Sequence, residues 1–194
     1  TKIEIISNLI KDFDNIIIVG GMGNAMLKNT GVNIGKSVCD DGYKNLVEDI
    51  LKKSETYDCK IYYPLDVVVS TTLNGSGTIK EINEVNNDEM ILDIGPKTIE
   101  SIKNIINDTN TVLWNGPAGY FENPSFANGT KKILEIITNK RVKDKIYAVA
   151  GGGETVAVIN KFNKLDTFNF VSTAGGAFLE YLEGKELPGI KALN

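Results

Sequence analysis

The sequence predicts an α/β domain of three layers, an αβα arrangement in which helices cover both faces of a twisted, mostly parallel sheet. Two observations predict this fold class. Short apolar runs alternate with segments whose apolar residues recur every three or four positions, as strands alternate with helices. Each apolar run ends in glycine or another turn former, and continuously apolar runs are typical of strands buried on both faces.

The predicted elements follow one another along the whole chain. Apolar residues spaced by three and four predict an amphipathic helix over Lys2–Phe13, and Ile16–Val19 follows as a short strand. Further strands are predicted at Lys60–Tyr63, Asp66–Val69, Met90–Ile94, Thr111–Trp114, Ile146–Ala150 and Phe168–Val171. Further helices are predicted at Ala25–Asn29, Gly42–Ser54, Lys97–Asn107, Phe126–Asn139, Glu154–Phe162 and Gly176–Leu182. Ser70–Gly77 is rich in glycine, asparagine and serine, which predicts the turn of a small hairpin.

The chain has the size of one domain. Its 194 residues, 42% of them hydrophobic, can bury a core without disulfides, so Cys39 and Cys59 are expected to be thiols in a reducing, cytoplasmic compartment. The chain begins directly in a helix, without the strand that usually opens an α/β domain, so we expect Thr1 to be the cut edge of a longer protein. No apolar run approaches the roughly 20 residues that span a bilayer, so neither a membrane nor export is expected.

Charge and composition exclude several classes of chemistry. A net charge of −4 disfavours extensive contact with a phosphate backbone, so nucleic acid is not expected as a partner. Histidine is absent, which excludes Ser-His, Cys-His and histidine-ligated metal mechanisms within this chain. The chemistry is therefore expected to rest on carboxylates, lysines, backbone dipoles or a hard metal ion.

Two glycine-rich segments resemble known nucleotide-binding loops without matching them. Gly31–Ser37 is one residue short of a phosphate-binding loop, with Thr30 in place of the first glycine and no strand before it. Gly21–Met26 follows a strand, but Met26 replaces the third glycine of the dinucleotide fingerprint and no acidic residue ends a strand at the required distance. A phosphate-binding loop and a dinucleotide-dependent oxidoreductase are both disfavoured.

Four other glycine-containing turns lie at the carboxyl ends of apolar strands, the edge at which open α/β sheets bind ligands. They are Gly20–Gly23, Asn115–Gly119, Gly151–Thr155 and Ser172–Gly176. Each alone is most often a tight turn, but together they predict a phosphate-containing ligand, because glycine allows close approach and helix N-termini favour anions. Glu154 could hold Mg²⁺ or could simply favour the helix dipole, and the residues leave both open.

Longer motifs around these turns carry a family resemblance. The motifs are Gly20–Met22, Leu92–Pro96, Trp114–Glu122, Gly151–Thr155, Val171–Gly176 and Leu182–Gly189. Together they resemble phosphoglycerate kinase along the entire chain, but only the carboxyl-terminal half of that family. The resemblance implies a Rossmann-like fold and makes residues 1–194 the nucleotide-binding domain of a two-domain kinase. The amino-terminal domain, whose basic patch binds 3-phosphoglycerate in the family, is not part of this sequence.

The resemblance also implies an activity. Phosphoglycerate kinase moves a phosphoryl group reversibly between 1,3-bisphosphoglycerate and Mg-ADP, giving 3-phosphoglycerate and ATP in glycolysis. We expect the isolated half to be a monomer that binds ATP or ADP with Mg²⁺ but does not turn over. A stand-alone adenine-nucleotide-binding module without catalysis is the alternative, which the lack of an upstream basic domain in the gene would favour.

The resemblance assigns roles to individual residues. Gly20 and Gly21 would form the floor of the adenine pocket and Val38 and Leu92 its walls. Residues placed beside the base or on the ribose and phosphates are Asn115, Pro117, Gly119, Tyr120, Glu122, Gly152, Gly153 and Thr155, with Glu122 taking the ribose hydroxyls and Asn115 and Thr155 the phosphates. Glu154 would ligate Mg²⁺. Lys2 would bind phosphate, and the amides of Gly175 and Gly176 would receive the transferring phosphoryl group.

Three positions depart from the family pattern. Glu154 stands where the family usually has aspartate, which lengthens the metal ligand by one methylene. Ala174 replaces a glycine, which is tolerable only where its φ is negative. Ile91 replaces a glycine beside the adenine pocket, and we expect it to narrow that pocket.

Overall fold

The computed structural model of the chain describes residues 2–39 and 42–192, with side chains from Ile5 onward. The helices are α1 (Lys2–Leu9), α2 (Gly20–Asn29), α3 (Tyr43–Thr56), α4 (Pro96–Asn107), α5 (Asn128–Asp144), α6 (Gly153–Lys161), α7 (Gly176–Leu182) and α8 (Pro188–Lys191). The strands are β1 (Asn15–Ile17), β2 (Lys60–Tyr62), β3 (Asp66–Ser70), β4 (Thr78–Glu81), β5 (Met90–Ile94), β6 (Thr111–Asn115), β7 (Tyr147–Gly151) and β8 (Phe170–Ser172). The α/β fold class is confirmed, and β4 and α8 are additional to the predicted elements.

The strands form three small sheets. β1 pairs in parallel with β2, and β6, β7 and β8 form a parallel sheet with β7 in the centre. The prediction that Asp66–Val69 and Met90–Ile94 belong to a parallel sheet is wrong, because β3 lies between β4 and β5 and is antiparallel to both. The reason is connectivity: the predicted hairpin at Ser70–Gly77 leads β3 directly into β4, whereas a parallel return needs a long crossover.

Apolar clusters join these sheets to the helices. The largest packs β6 and β7 against α4, α5 and α6, around Trp114 and Ile159. A second packs α1, α2 and α3 against β1 and β2, around Met26. Ile17 and Val19, at the end of β1, pack against the first cluster and so connect the two. This packing brings the carboxyl end of β1 close to the region where β6 ends.

Two buried aspartates in the antiparallel sheet hold the starts of two helices. Asp66 accepts hydrogen bonds from the N–H groups of Lys97 and Thr98 in the first turn of α4, at 2.9 and 2.8 Å. Asp93 accepts one from the N–H of Gly129 in the first turn of α5, at 2.8 Å. Both aspartates are 1% exposed, and the positive end of each helix favours a carboxylate. The sheet therefore fixes where α4 and α5 begin.

Glycines make room for these carboxylates. A Cβ atom at Gly95 would overlap the carboxyl group of Asp66, and one at Gly129 would overlap that of Asp93. A Cβ atom at Gly119 would lie 2.7 Å from Asp93 Oδ1, which is also too close. Gly119 is thus required by the packing of its turn, whatever ligand the turn contacts.

Candidate functional site

A cleft of about 640 Å³ opens where β1 and β6 end, with β5 forming one wall. Ligands of open α/β sheets bind at this edge. The predicted site residues that line the cleft are Gly20, Gly21, Val38, Leu92, Asn115, Pro117, Gly119, Tyr120 and Glu154. The structure therefore brings together, in one cavity, residues that are up to 134 positions apart in the chain, from Gly20 to Glu154.

The floor of the cleft is formed by the turn that leads from β1 into α2. Gly20 has a φ of +64°, which glycine adopts without strain, and a Cβ atom there would lie 3.3 Å from the Pro117 carbonyl oxygen. The backbone of the first turn of α2 therefore lies close to the turn after β6. Asn24, which is buried in α2, donates from Nδ2 to the Val38 carbonyl at 3.0 Å and holds the segment that carries Val38.

One wall of the cleft is built on an irregularity in β5. Asp93 pairs with Val68 while Ile91 pairs with Val69, so Leu92 is an extra residue in the ladder. Such bulges re-aim side chains next to ligand sites. The Leu92 carbonyl accepts a hydrogen bond from the Tyr120 N–H at 2.7 Å, which joins this wall to the turn after β6.

The mouth of the cleft is apolar and exposed. Val38 is 76% exposed, Leu73 45% and Tyr120 36%, and all three line the cavity. Ile91 also lines it, and that its side chain narrows the pocket stays a prediction. Exposed apolar side chains around a cavity with few polar groups suit a flat, largely apolar ligand such as a base. Leu73 is a lining residue that the sequence analysis did not identify, because the hairpin brings it there.

The residues predicted to contact the phosphates are joined by hydrogen bonds between the end of β6 and the segment where β7 leads into α6. Asn115 Nδ2 donates to the Gly151 carbonyl at 2.8 Å, and the Gly116 N–H donates to Thr155 Oγ1 at 2.6 Å. Thr155 is fully buried, so its hydroxyl braces the turn after β6 in this structure. Glu154 is exposed in the first turn of α6 and lines the cleft.

Other predicted residues lie outside the cleft lining. Glu122 is exposed in the turn that follows Tyr120. Gly152, Gly153, Gly175 and Gly176 lie at the starts of α6 and α7, where Gly152 and Gly175 have positive φ values of +93° and +58°. The backbone of Lys2 begins α1, but its side chain lies outside the described residues. Ala174 is not among the residues with positive φ, so the condition for alanine at this position is met.

Asp93 is a buried titratable group in the cleft wall that the sequence analysis did not single out. Burial raises the pKa of Asp93 from 3.8 to about 6, and hydrogen bonds from the N–H groups of Gly129 and Ile94 offset part of this effect. Between these two pKa values the folded chain holds a proton that the unfolded chain has lost. Asp93 therefore adds to the free energy of unfolding below about pH 4, and this contribution is lost as the pH rises through about 6.

We expect Asp93→Asn to remove this pH dependence. The free energy of unfolding of the wild type relative to the variant should fall by up to about 3 kcal/mol between about pH 4 and 7. Urea unfolding of both proteins across this range measures the difference. A difference that stays constant, or that grows with rising pH, would show that Asp93 does not titrate in this way.

The described residues also bear on metal and membrane binding. No three His, Cys, Asp or Glu side chains among them converge as a metal cluster. Mg²⁺ bound with a nucleotide needs only one or two carboxylates, because phosphates and waters complete its shell. Glu154 fits that need, whereas Asp93 is buried and held by backbone N–H groups.

In the described part of the chain, no helix is long and apolar enough to span a membrane.

The fold and the cleft define an α/β protein with a cavity where its parallel strands β1 and β6 end, the edge at which open α/β sheets bind ligands. Comparison with known proteins gives the family. The sequence pattern of the phosphoglycerate kinase family matches residues 1–185, and the chain belongs to this family.

The relatives show how much of the family this chain represents. It is 43% identical to the phosphoglycerate kinase of Xanthobacter flavus over 195 residues, which cover 100% of this chain and 49% of the relative. The structure of phosphoglycerate kinase from Coxiella burnetii matches with a TM-score of 0.92 and 37% identity, over 100% of this chain and 50% of the other. The structure from Pyrococcus horikoshii OT3 matches with a TM-score of 0.82 and 28% identity, over 98% and 48%. The chain spans about half the length of these relatives.

Proposed function

We propose that this chain is the nucleotide-binding, carboxyl-terminal half of a phosphoglycerate kinase and that the cleft binds the adenine nucleotide. In the whole enzyme it would take part in the reversible transfer of a phosphoryl group between 1,3-bisphosphoglycerate and Mg-ADP in the glycolysis of the cytoplasm. The observation that carries the proposal is the cleft itself, because residues of four separate motifs of the family line one cavity.

The lining suggests how the nucleotide is oriented. The base would lie over Gly20 and Gly21, between the apolar side chains of Val38, Leu92 and Tyr120. The ribose would then point toward Glu122, which follows Tyr120 in the chain. The phosphates would extend past Asn115 toward the starts of α6 and α7, where backbone N–H groups without helical partners favour anions.

Glu154 is the residue that would hold Mg²⁺, because it is the exposed carboxylate of the described cleft lining and stands at the start of α6. Bound Mg²⁺ would neutralise charge on the nucleotide phosphates. Phosphoryl transfer depends on positioning and charge stabilisation more than on covalent catalysis, so a chain without histidine is adequate. The residues of this chain would orient the nucleotide, and closure against the other domain would exclude water.

A fusion tests this proposal. The chain is joined to the amino-terminal half of the Xanthobacter flavus relative, and turnover of 1,3-bisphosphoglycerate with Mg-ADP is measured beside the reassembled relative as positive control. We expect the fusion to be active and the isolated chain to be inactive, since the acyl-phosphate site would lie on the amino-terminal half. A fusion that binds nucleotide but stays inactive would favour the stand-alone module. Turnover by the isolated chain would contradict the division of labour between the halves.

A further inference from the structure

The loop between β3 and β4 reaches the mouth of the cleft through Leu73, which is 45% exposed and lines the cavity. The two strands stop pairing before residues 71–76. One hydrogen bond runs from the Thr72 N–H to Ser70 Oγ at 3.3 Å, and another from the Gly75 N–H to the Thr72 carbonyl at 3.2 Å. Neither of these bonds reaches beyond the hairpin.

Asn123 connects this loop to the segment that follows β6. Its Nδ2 donates to the Leu73 carbonyl at 2.8 Å, across 50 positions of sequence. Its Oδ1 accepts from the Ser125 N–H at 2.9 Å and so caps the short 3-10 helix Pro124–Phe126. Its backbone N–H donates to the Tyr120 carbonyl at 3.2 Å. Asn123 therefore joins the two residues Leu73 and Tyr120, which both lie at the exposed mouth of the cleft.

The base of the loop is held by packing. A Cβ atom at Gly77 would lie 3.2 Å from Phe126 Cε1 and 3.3 Å from the Ser125 carbonyl oxygen, so the backbone of Gly77 lies against the capped 3-10 helix. Phe126 is fully buried, which fixes this contact. The base of the loop is thus in place without the Asn123 side chain, and the hydrogen bond from Asn123 acts on the tip that carries Leu73.

We infer that Asn123 is a positioning residue that holds Leu73 at the mouth of the cleft, where Leu73 packs on the base of a bound nucleotide. This inference rests on the proposed function. A loop that is already in place in the free chain does not have to be ordered on binding, so the Asn123 hydrogen bond strengthens binding without contacting the ligand. The bond is exposed, and its effect is that of one ordinary hydrogen bond, about two- to tenfold in affinity.

The test compares variants of the 194-residue chain by calorimetry with adenosine and with Mg-ADP. Asn123→Asp and Asn123→Ser both keep an oxygen that can cap the 3-10 helix, but aspartate has no hydrogen to donate to the Leu73 carbonyl and serine is shorter. Adenosine is uncharged, so its binding is insensitive to the charge of the aspartate. Asn87→Asp is the matched control, because Asn87 is exposed, lies outside the cleft lining and accepts through an oxygen that aspartate retains.

Two further readouts separate positioning from a merely structural role. Hydrogen exchange of the Thr72 and Gly75 amides, which are bonded within the hairpin, reports in the ligand-free chain whether the loop is held. A double-mutant cycle of Asn123→Ser with Leu73→Ala reports whether Asn123 acts through the Leu73 side chain. Thermal unfolding of each variant ensures that affinities are compared between folded chains.

We expect both Asn123 variants to exchange these amides faster and to bind adenosine about two- to tenfold more weakly. Asn123→Ser should lower the affinity for Mg-ADP by the same factor, because the effect is on the base. In the Leu73→Ala background, Asn123→Ser should change neither affinity, and Asn87→Asp should match the wild type.

Unchanged amide exchange, or additive effects of Asn123→Ser and Leu73→Ala on affinity, would overturn the positioning role alone. A folded wild-type chain that binds neither adenosine nor Mg-ADP would overturn the proposed function and this inference together.

Discussion

Glu154→Gln is expected to remove most of the Mg²⁺-dependent part of ADP affinity. The variant keeps the shape of the side chain and loses its charge, and Mg²⁺ prefers charged oxygen ligands at about 2.0–2.1 Å. We expect the affinity for Mg-ADP to fall roughly tenfold or more, equivalent to about 1.4 kcal/mol, while the affinity for metal-free ADP is nearly unchanged. Calorimetric titrations with Mg²⁺ and with a chelator measure the two affinities.

Glu154→Asp is the matched control. It keeps the charge and restores the residue that the family usually has at this position, so it should bind Mg-ADP as the wild type does. The longer glutamate can reach the metal directly by a change of rotamer or through one water. If Glu154→Gln weakens both forms of ADP equally, or neither, Glu154 acts only on the dipole of α6 and another group holds the metal.

Glu122→Ala is expected to lower the affinity for ADP at least tenfold. A carboxylate that accepts both ribose hydroxyls makes two charge-assisted hydrogen bonds, each worth about 1.5–3 kcal/mol at most. Glu122 is exposed and does not line the cleft, so its removal should leave the free energy of unfolding nearly unchanged. Affinity and stability are measured on the same preparations.

Glu100→Ala provides the comparison for Glu122→Ala. Glu100 is an exposed glutamate on α4 that pairs with Lys103 and lies outside the cleft lining. It should leave ADP binding unchanged. Unaltered ADP affinity in Glu122→Ala as well would remove the ribose assignment and leave Glu122 as a solvated surface charge.

Local patterns in the sequence predicted the elements better than their pairing. β5 and α7 have the predicted bounds, because their ends carry glycine or a turn former. The apolar run of β3 indicates burial, and β3 is buried at four of its five residues, yet burial does not specify direction. The antiparallel pairing of β3 with β4 follows from the short connection between them. The predicted turn at Ser70–Gly77 already indicated such a connection.

The sequence predicted the part of the candidate site that consists of glycine turns at the ends of parallel strands. It did not predict the contacts between residues that are far apart in the sequence. Asp93 interrupts an apolar strand, and that signal alone implies a buried carboxylate in need of donors. Its partner is Gly129, 36 residues away, and only the packing of α5 against β5 identifies it. The partner of Thr155 was likewise not predictable from local patterns. Its hydroxyl oxygen accepts a hydrogen bond from the Gly116 N–H, a contact between two turns that are distant in the sequence.

We propose that the cleft of this chain is an adenine-nucleotide site. Its most direct test is a calorimetric titration of Mg-ADP into the 194-residue chain, with intact mass measured on the same sample. We expect saturable binding of one nucleotide per chain, lost when the backbone of the cleft floor is altered by Gly20→Val. Absence of binding to a folded wild-type chain, or equal binding by Gly20→Val, would contradict it.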